Sequence, residues 1–168
     1  MSEATAAAAA LLTRCTAWAE DRLATLAWWT DAELLRALGP GLAALFPSAR
    51  PTLIAGVQSS GYLLAPLVAM QRGVGMLAVQ KQPQPDGSIL LATLDDVGGV
   101  AGRPRTGDRV LLVDDVVETG AQVAAVKDLV VDSGAEWLGA AVMVAYQPRP
   151  DLGVESLTTV ACLRSAAG

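Results

Sequence analysis

The chain has 168 residues and a formal net charge of −5, and hydrophobic residues make up 52% of it. This length suits one domain with a buried core, and an acidic balance without any block of Lys and Arg argues against a DNA or RNA partner. The sequence contains no histidine, which excludes an imidazole base and a His-ligated zinc from the chemistry of this chain.

Apolar runs in the sequence are short, and none approaches the ~18 residues that a bilayer-spanning helix needs. The run Ala6–Ala10 follows Glu3 and no basic residue, so it predicts the start of a helix rather than a signal peptide and favours a cytoplasmic chain. The two cysteines lie far apart without CxxC spacing, and we interpret Cys15 and Cys162 as free structural thiols.

Residues 3–45 have apolar positions at three- and four-residue spacing, which predicts a helical N-terminal segment. Asp31 is a suitable N-cap for a second helix over Ala32–Leu38, and Gly39 followed by Pro40 predicts its end. We expect the tryptophans of this segment to pack in a core or at a dimer surface rather than to stack on bases; they are Trp18, Trp28 and Trp29.

From about residue 50 onward the pattern alternates between strands and helices. The predicted strands are Thr52–Val57, Met76–Val79, Ile89–Leu94, Val110–Val113 and Trp137–Ala145, and the predicted helices are Tyr62–Arg72, which contains Pro66, and Val123–Ser133. This order predicts an α/β fold with a parallel, doubly wound sheet that has helices on both faces. The long Gly- and Pro-containing excursion at residues 82–108 is expected to be a hairpin or lid.

Polar loops follow three of the predicted strands, at Gln58–Gly61, Gln80–Lys81 and Asp114–Gln122. Ligands of parallel α/β sheets bind beyond the carboxyl ends of the strands. We therefore expect these loops to meet at one binding edge.

The last of these loops combines two kinds of binding group. Thr119 and Gly120 lead into a helix whose first N–H groups are free to bind a phosphate. The adjacent carboxylates of Asp114 and Asp115 are good acceptors for a pair of sugar hydroxyls. By spacing alone, the pattern also fits an acidic strand end followed by an ordinary helix cap.

Three stretches resemble one enzyme family. The stretch Val110–Gln122, VLLVDDVVETGAQ, resembles the phosphoribosyl pyrophosphate motif of the type I phosphoribosyltransferases, in which an apolar strand ends in two acids and a Thr-Gly phosphate loop. Ile54–Pro66, IAGVQSSGYLLAP, resembles the pyrophosphate-loop region of adenine phosphoribosyltransferases, and Lys81 is similar to the family's pyrophosphate-side lysine. The resemblance covers about residues 50–146.

This resemblance implies an organisation for the whole chain. A single domain over residues 1–168 would comprise a helical N-terminal segment at 1–46, a phosphoribosyltransferase core at 50–146 and a C-terminal strand or tail at 147–168. The excursion at 82–108 would be the family's flexible hairpin hood over the reaction centre.

The resemblance also implies roles for individual residues. Asp114 and Asp115 would hold the ribose hydroxyls, directly or through waters of a Mg²⁺ ion that is held mainly by the substrate, and Lys81 would face the pyrophosphate. Asp95, in a Leu-Asp-Asp stretch loosely similar to the proton-donor region of the adenine enzymes, would be the catalytic acid. Two loops would bind the phosphate groups: Glu118, Thr119, Gly120, Ala121 and Gln122 the ribose phosphate, and Ser59, Ser60 and Gly61 the pyrophosphate.

The implied function is Mg²⁺-dependent transfer of a phosphoribosyl group from phosphoribosyl pyrophosphate to a nucleobase in nucleotide salvage, with release of pyrophosphate. The base would be a purine, and by motif adenine. The implied partners are these two substrates and a second copy of the chain in a homodimer, without nucleic acid or membrane.

Several positions depart from the family pattern. Ser60 and Gln80 stand where the adenine enzymes usually have Arg, Gln122 replaces a hydroxyl residue, and Glu118 adds a carboxylate to the phosphate loop. The basic residues left for the pyrophosphate are Lys81, Arg103, Arg105 and Arg109. A second hypothesis is therefore a non-catalytic regulator that binds phosphoribosyl pyrophosphate or a nucleotide on the same fold, and a third is an acidic pair that binds only a metal.

Overall fold

The computed structural model describes residues 1–83, 85, 89–93 and 102–167. The α-helices in these ranges are α1 (Glu3–Cys15), α2 (Ala32–Ala43), α3 (Gly61–Arg72), α4 (Ala121–Asp132) and α5 (Val160–Ala167). The strands are β1 (Trp18–Ala19), β2 (Arg22–Leu23), β3 (Leu53–Val57), β4 (Gly75–Pro83), β5 (Ile89–Thr93), β6 (Arg109–Val117), β7 (Glu136–Ala145) and β8 (Val154–Thr159). Short 3₁₀ helices span Thr25–Thr30 and Pro150–Leu152. None of the described helices is both long and apolar enough to cross a bilayer.

A six-stranded sheet in the order β5-β4-β3-β6-β7-β8 lies at the centre of the fold. The strands from β4 to β8 along this order run parallel, and β5 pairs with β4 in the antiparallel direction at the edge. Helices cover both faces of the sheet, which confirms the predicted α/β fold with a doubly wound parallel sheet. Leu94, the predicted end of β5, and much of the predicted hood lie outside the described residues.

Strand β6 contributes side chains to two separate cores. Leu111 and Val113 pack with residues of α1, α2, α3 and α5, whereas Val110 and Leu112 pack with residues of α4. All four side chains are fully buried. Because both faces of the strand are covered, its sequence is a continuous apolar run rather than an alternation of apolar and polar residues.

Two strands extend further than the sequence predicted. β4 continues through Gln80 and Lys81, since Lys81 pairs with Leu91 of the antiparallel edge strand. β6 continues to Val117 because β7 runs alongside it to the pair Val117 and Ala145. The predicted loop at Gln80–Lys81 is therefore wrong, and the acidic pair belongs to the strand rather than to the loop that follows.

The N-terminal segment is helical only in part. α1 ends at Cys15, β1 and β2 form a small hairpin, and the prediction of helix between residues 16 and 24 is wrong. The Thr16 hydroxyl donates to the Leu12 carbonyl at 2.7 Å and accepts the indole N–H of Trp28 at 3.2 Å. The chain folds back to bury Trp28 completely, and burial of so large a side chain outweighs local helix propensity.

The other two tryptophans of the N-terminal segment, Trp18 and Trp29, are partly buried. Trp18 and Trp29 pack against the same core as Trp28, which confirms their predicted role in packing. The guanidinium of Arg164 in α5 lies 4.9 Å from the centre of the Trp18 ring. The hairpin is thus attached to the C-terminal helix by a cation–π contact.

Helix α2 does not end at Gly39 and Pro40 as predicted but continues to Ala43. A Cβ atom on Gly39 would lie 2.9 Å from the Leu67 carbonyl oxygen of α3, and one on Gly41 would collide with Ala8 of α1. The two glycines therefore allow α2 to pack closely between its neighbours. Burial of this face offsets the helix-breaking tendency of the Gly-Pro pair.

Helix α3 agrees with its prediction. It contains Pro66 in its interior and ends at Gly73, whose φ of 66° is the left-handed conformation typical of a helix C-terminus. Its first turn begins at Gly61, the last residue of the predicted polar loop, so the rest of that loop joins the carboxyl end of β3 directly to α3.

Candidate functional site

A cleft of about 340 Å³ lies at the carboxyl end of β6 and the start of α4. Seven of the predicted site residues line it together: Lys81, Asp114, Glu118, Thr119, Gly120, Ala121 and Gln122; Val116, Val117 and Val123 complete its wall. Asp115, Ser59, Ser60 and Gly61 are not among the residues lining this cleft. The predicted catalytic residue Asp95 lies outside the described residues.

Asp114 is the most buried of the acids at this edge, with 4% of its surface exposed. Burial, together with the negative charge of Asp115, raises the pKa of Asp114 to about 7. The Asp115 backbone N–H donates to Oδ1 of Asp114 at 3.0 Å, and the side-chain amide of Gln122 donates to Oδ2 at 2.5 Å. Both carboxylate oxygens of Asp114 therefore accept a hydrogen bond from the protein itself.

Asp115 uses one oxygen in the same way, because the Val116 backbone N–H donates to its Oδ1 at 2.8 Å. These bonds occur where β6 is paired on one side only, because its pairing with β3 ends at Val113 whereas its pairing with β7 continues. Both acids thus satisfy backbone donors at the strand end, and Asp114 also lines the cleft.

The phosphate loop predicted at Glu118–Gln122 connects β6 to α4. Gly120 is the N-cap of α4, with φ 83° and ψ 0°, a left-handed conformation that favours glycine. The first-turn N–H groups of α4 have no partner within the helix and lie at the positive end of its dipole, although the Ala121 N–H donates to the Thr119 hydroxyl at 3.3 Å. Because Gly120, Ala121 and Gln122 line the cleft, these groups can bind an anion there.

Arg149 contacts this loop from outside the cleft and was missed by the sequence analysis. Its Nη1 donates to the carbonyl oxygen of Thr119, while Nε and Nη2 donate to the two carboxylate oxygens of Asp151 at 3.0 and 2.8 Å. Arg149 follows β7 at the same edge of the sheet as the other loops. Its position after a parallel strand was the only signal in the sequence that could have identified it.

The predicted pyrophosphate loop, Gln58–Gly61, joins β3 to α3. The loop is tied to β4, since Gln58 N–H donates to the Val79 carbonyl at 2.9 Å and Gln58 Oε1 accepts the Lys81 N–H at 3.2 Å. The peptide bond between Gln58 and Ser59 is cis. Ser59 is exposed and Ser60 half-buried, so their hydroxyls are accessible at the edge that also carries Lys81.

Two glycines bring this loop close to its strand. A Cβ atom on Gly56 would lie 2.7 Å from the carbonyl carbon of Gly61, and a Cβ atom on Gly61 would lie 3.0 Å from the carbonyl carbon of Gly56. Gly56 therefore requires glycine for steric reasons, and a side chain at Gly61 would be tightly crowded. The absence of side chains lets the first turn of α3 start directly above the end of β3.

Charge in the cleft is mixed. Among the described residues that line it, Lys81 is the only cation and is exposed, while Asp114 and Glu118 are acids. No group of three or more His, Cys, Asp or Glu side chains in the described ranges has a metal-binding arrangement. Carboxylate oxygens suit Mg²⁺, which usually keeps several waters and takes phosphate oxygens as ligands, so the acidic pair fits a metal that a phosphorylated ligand brings with it.

No family model matches the chain. Comparison with individual proteins, however, points to one family. The adenine phosphoribosyltransferase of Nocardia farcinica is 37% identical over 161 residues, which cover 88% of this chain and 83% of that protein.

Solved structures show the same fold. The adenine phosphoribosyltransferase of Rhodothermus marinus superposes with a TM-score of 0.74 at 21% identity, over 91% of this chain and 98% of that one. The Trypanosoma brucei adenine phosphoribosyltransferase in complex with AMP, pyrophosphate and ribose-5-phosphate superposes with a TM-score of 0.72 at 15% identity, over 92% of this chain and 80% of that one. With the sequence relationship to the Nocardia enzyme, these likenesses show that the chain belongs to the adenine phosphoribosyltransferase family of type I phosphoribosyltransferases.

Proposed function

We propose that this protein transfers a phosphoribosyl group from phosphoribosyl pyrophosphate to adenine, in a Mg²⁺-dependent reaction that releases pyrophosphate. The observation that carries the proposal is the cleft in which a buried carboxylate, Asp114, lies beside a glycine-containing loop at a helix start. A ribose 5-phosphate unit has one chemical group for each part: hydroxyls for the carboxylate and a phosphate for the loop. The name of the Nocardia relative supports adenine as the acceptor.

The residues of this chain would act chiefly by binding and orientation. Asp114 and Asp115 would accept hydrogen bonds from the ribose hydroxyls, and the N–H groups at the start of α4 would hold the 5′-phosphate. Fixed in this way, the anomeric carbon is exposed to the base nitrogen: the carbon–nitrogen bond forms as the bond from that carbon to the pyrophosphate oxygen breaks. Positioning and electrostatic stabilisation supply the rate in such a reaction, which agrees with a chain that has no histidine.

The leaving pyrophosphate would interact with the other side of the site. Lys81 would attract it, and Ser59, Ser60 and Gly61 would donate hydroxyl and backbone hydrogen bonds. Mg²⁺, bound chiefly by the substrate, would neutralise negative charge on these phosphates. Asp95 is proposed as the group that exchanges a proton with the base.

The remaining aspects of the proposal concern the protein's surroundings. We infer that the chain acts in the cytoplasm as a homodimer, without nucleic acid or membrane. Sedimentation analysis tests the dimer, and a monomer in solution would overturn it.

The binding site is tested by replacing both Asp114 and Asp115 by Asn. Calorimetry should show loss of binding of phosphoribosyl pyrophosphate while circular dichroism shows a retained fold. The matched control replaces Asp128 and Asp132, two exposed acids of α4, by Asn. This control changes the net charge by the same amount and should leave binding intact. Unchanged binding in the first variant would refute the assignment of the acidic pair.

The reaction is tested by incubating the protein with phosphoribosyl pyrophosphate, Mg²⁺ and each common base while pyrophosphate release is measured. Release only with adenine is the expected result. Release with a different base would identify a different acceptor, and binding without release from any base would favour the non-catalytic regulator.

A further inference from the structure

The loop that lines the cleft has a second contact surface, formed by residues that do not line the cleft. On that surface the Nη1 of Arg149 donates to the carbonyl oxygen of Thr119. A Cβ atom on Gly120 would lie 2.9 Å from the guanidinium carbon of Arg149 and 2.9 Å from Cδ1 of Leu152. Arg149 and Leu152 therefore pack against the loop at Gly120, and neither is among the residues lining the cleft itself.

Asp151 fixes the direction in which Arg149 points. Nε and Nη2 of the guanidinium bind the two oxygens of this carboxylate at 3.0 and 2.8 Å, the parallel two-bond geometry that makes Arg–carboxylate pairs directional. This pair occupies one edge of the guanidinium and leaves Nη1 free for the Thr119 carbonyl. The Arg149 side chain is 30% exposed and the Asp151 side chain 58% exposed, so Arg149 is the more shielded member of the pair.

The contact with Thr119 determines the orientation of the next backbone N–H. In a trans peptide the carbonyl and the N–H of the following residue point in opposite directions. The bond between Thr119 and Gly120 is trans. When Arg149 holds the Thr119 carbonyl, the Gly120 N–H is directed away from Arg149, and both Gly120 and Ala121 line the cleft.

We propose that Arg149, oriented by Asp151, is a positioning residue that presets the phosphate loop for the 5′-phosphate of the substrate. This inference rests on the proposed function and assigns a role to a residue that does not touch the reacting atoms. A loop held in its binding conformation loses less conformational entropy when the ligand arrives.

The test compares two ligands that occupy different parts of the site. Ribose 5-phosphate needs the loop, whereas inorganic pyrophosphate needs the side of Lys81 and the serines. Replacing Arg149 by Gln should weaken ribose 5-phosphate about tenfold or more, as expected for the loss of a hydrogen bond from a charged donor, and should leave pyrophosphate affinity unchanged. Calorimetry with Mg²⁺ present gives both affinities.

Three further variants make the result specific. Arg149→Lys keeps the charge but not the two-edged geometry and should restore little of the affinity. Asp151→Asn should weaken ribose 5-phosphate in the same direction but less. Arg36→Gln, which removes an exposed arginine of α2, is the control and should change neither affinity.

The steady-state measurement should show a raised KM for phosphoribosyl pyrophosphate with a smaller change in kcat for Arg149→Gln. Equal weakening of ribose 5-phosphate and pyrophosphate, or no change in either, would overturn the role of Arg149. Ribose 5-phosphate binding by the unaltered protein without transfer to any base would refute the proposed reaction alone, because the variant comparison rests on binding. An unaltered protein that does not bind ribose 5-phosphate would refute both.

Discussion

Replacement of Asp114 by Asn should stabilise the protein at neutral and alkaline pH and remove most of the pH dependence that this carboxyl causes. The carboxyl is 4% exposed, and burial raises its pKa from 3.8 to about 7. Folding therefore favours the protonated form, so its stabilisation is fully present below about pH 4 and is lost as pH rises through about 7. The full difference is about 4 kcal/mol at 1.36 kcal/mol per pKa unit.

Urea unfolding at about pH 5 and about pH 8 measures this effect. Over this interval the carboxyl should cost the unaltered protein roughly 2–3 kcal/mol of unfolding free energy, and the Asn variant should not show that loss. The hydrogen bond to residue 122 can persist, since the Gln122 amide can turn over and accept from the new Asn amide. An equal pH dependence in both proteins would refute the reasoning, and Asp128→Asn on the exposed face of α4 serves as the control for a change of charge alone.

Three other changes test separate features of the structure. Lys81→Ala should reduce kcat more than it weakens AMP binding measured by calorimetry, because AMP lacks the pyrophosphate; equal effects on both would count against a role for Lys81 at the leaving group. Gly120→Ala should weaken ribose 5-phosphate binding and lower the free energy of unfolding by roughly 1–3 kcal/mol. Its control is Gly107→Ala: Gly107 has a φ of 94° but open space around it. This variant should show only the destabilisation caused by a left-handed backbone and should leave binding unchanged. Trp28→Ala should lower the free energy of unfolding by about 3–5 kcal/mol in urea titrations, since the side chain is fully buried; a loss under about 1 kcal/mol would show that the site collapses readily.

The central sheet was predictable because its strands are buried on both faces. Such strands are continuous apolar runs, and Val110–Val113 is one of them. Their ends were harder to predict, because Asp114 and Asp115 look like loop residues in sequence but continue β6 through pairing with β7. Strand length was set by a neighbour 20 or more residues away, which local periodicity does not contain.

The N-terminal segment shows the opposite situation, in which a local pattern was overruled by packing. Apolar spacing around Trp18 is helical, yet the chain reverses there to bury Trp28. Gly39 and Pro40 are a normal helix end by local rules, but close packing of α2 against α3 keeps the helix intact. In both places tertiary burial contributes more free energy than the local preference.

In the candidate site, too, residues defined by the local sequence pattern were predictable and those defined by distant contacts were not. The cleft residues that belong to one continuous stretch, Asp114 and Glu118–Gln122, were predicted because spacing along the chain defines a strand, a loop and a helix start. Lys81 required the additional rule that parallel strands end at a common edge. Arg149 and its contact with Thr119 depend on a side-chain direction that no pattern in the sequence encodes.

The way β6 is enclosed has a consequence for hydrogen exchange. Up to Val113 this strand has a partner on each side and a core on each face, so its amides should exchange only through global unfolding. Past Val117 the chain enters an exposed loop whose amides should exchange through local opening. The acidic pair lies at the boundary between these two regimes, so a ligand can order the loop and slow its exchange while the carboxylates of Asp114 and Asp115 keep their place.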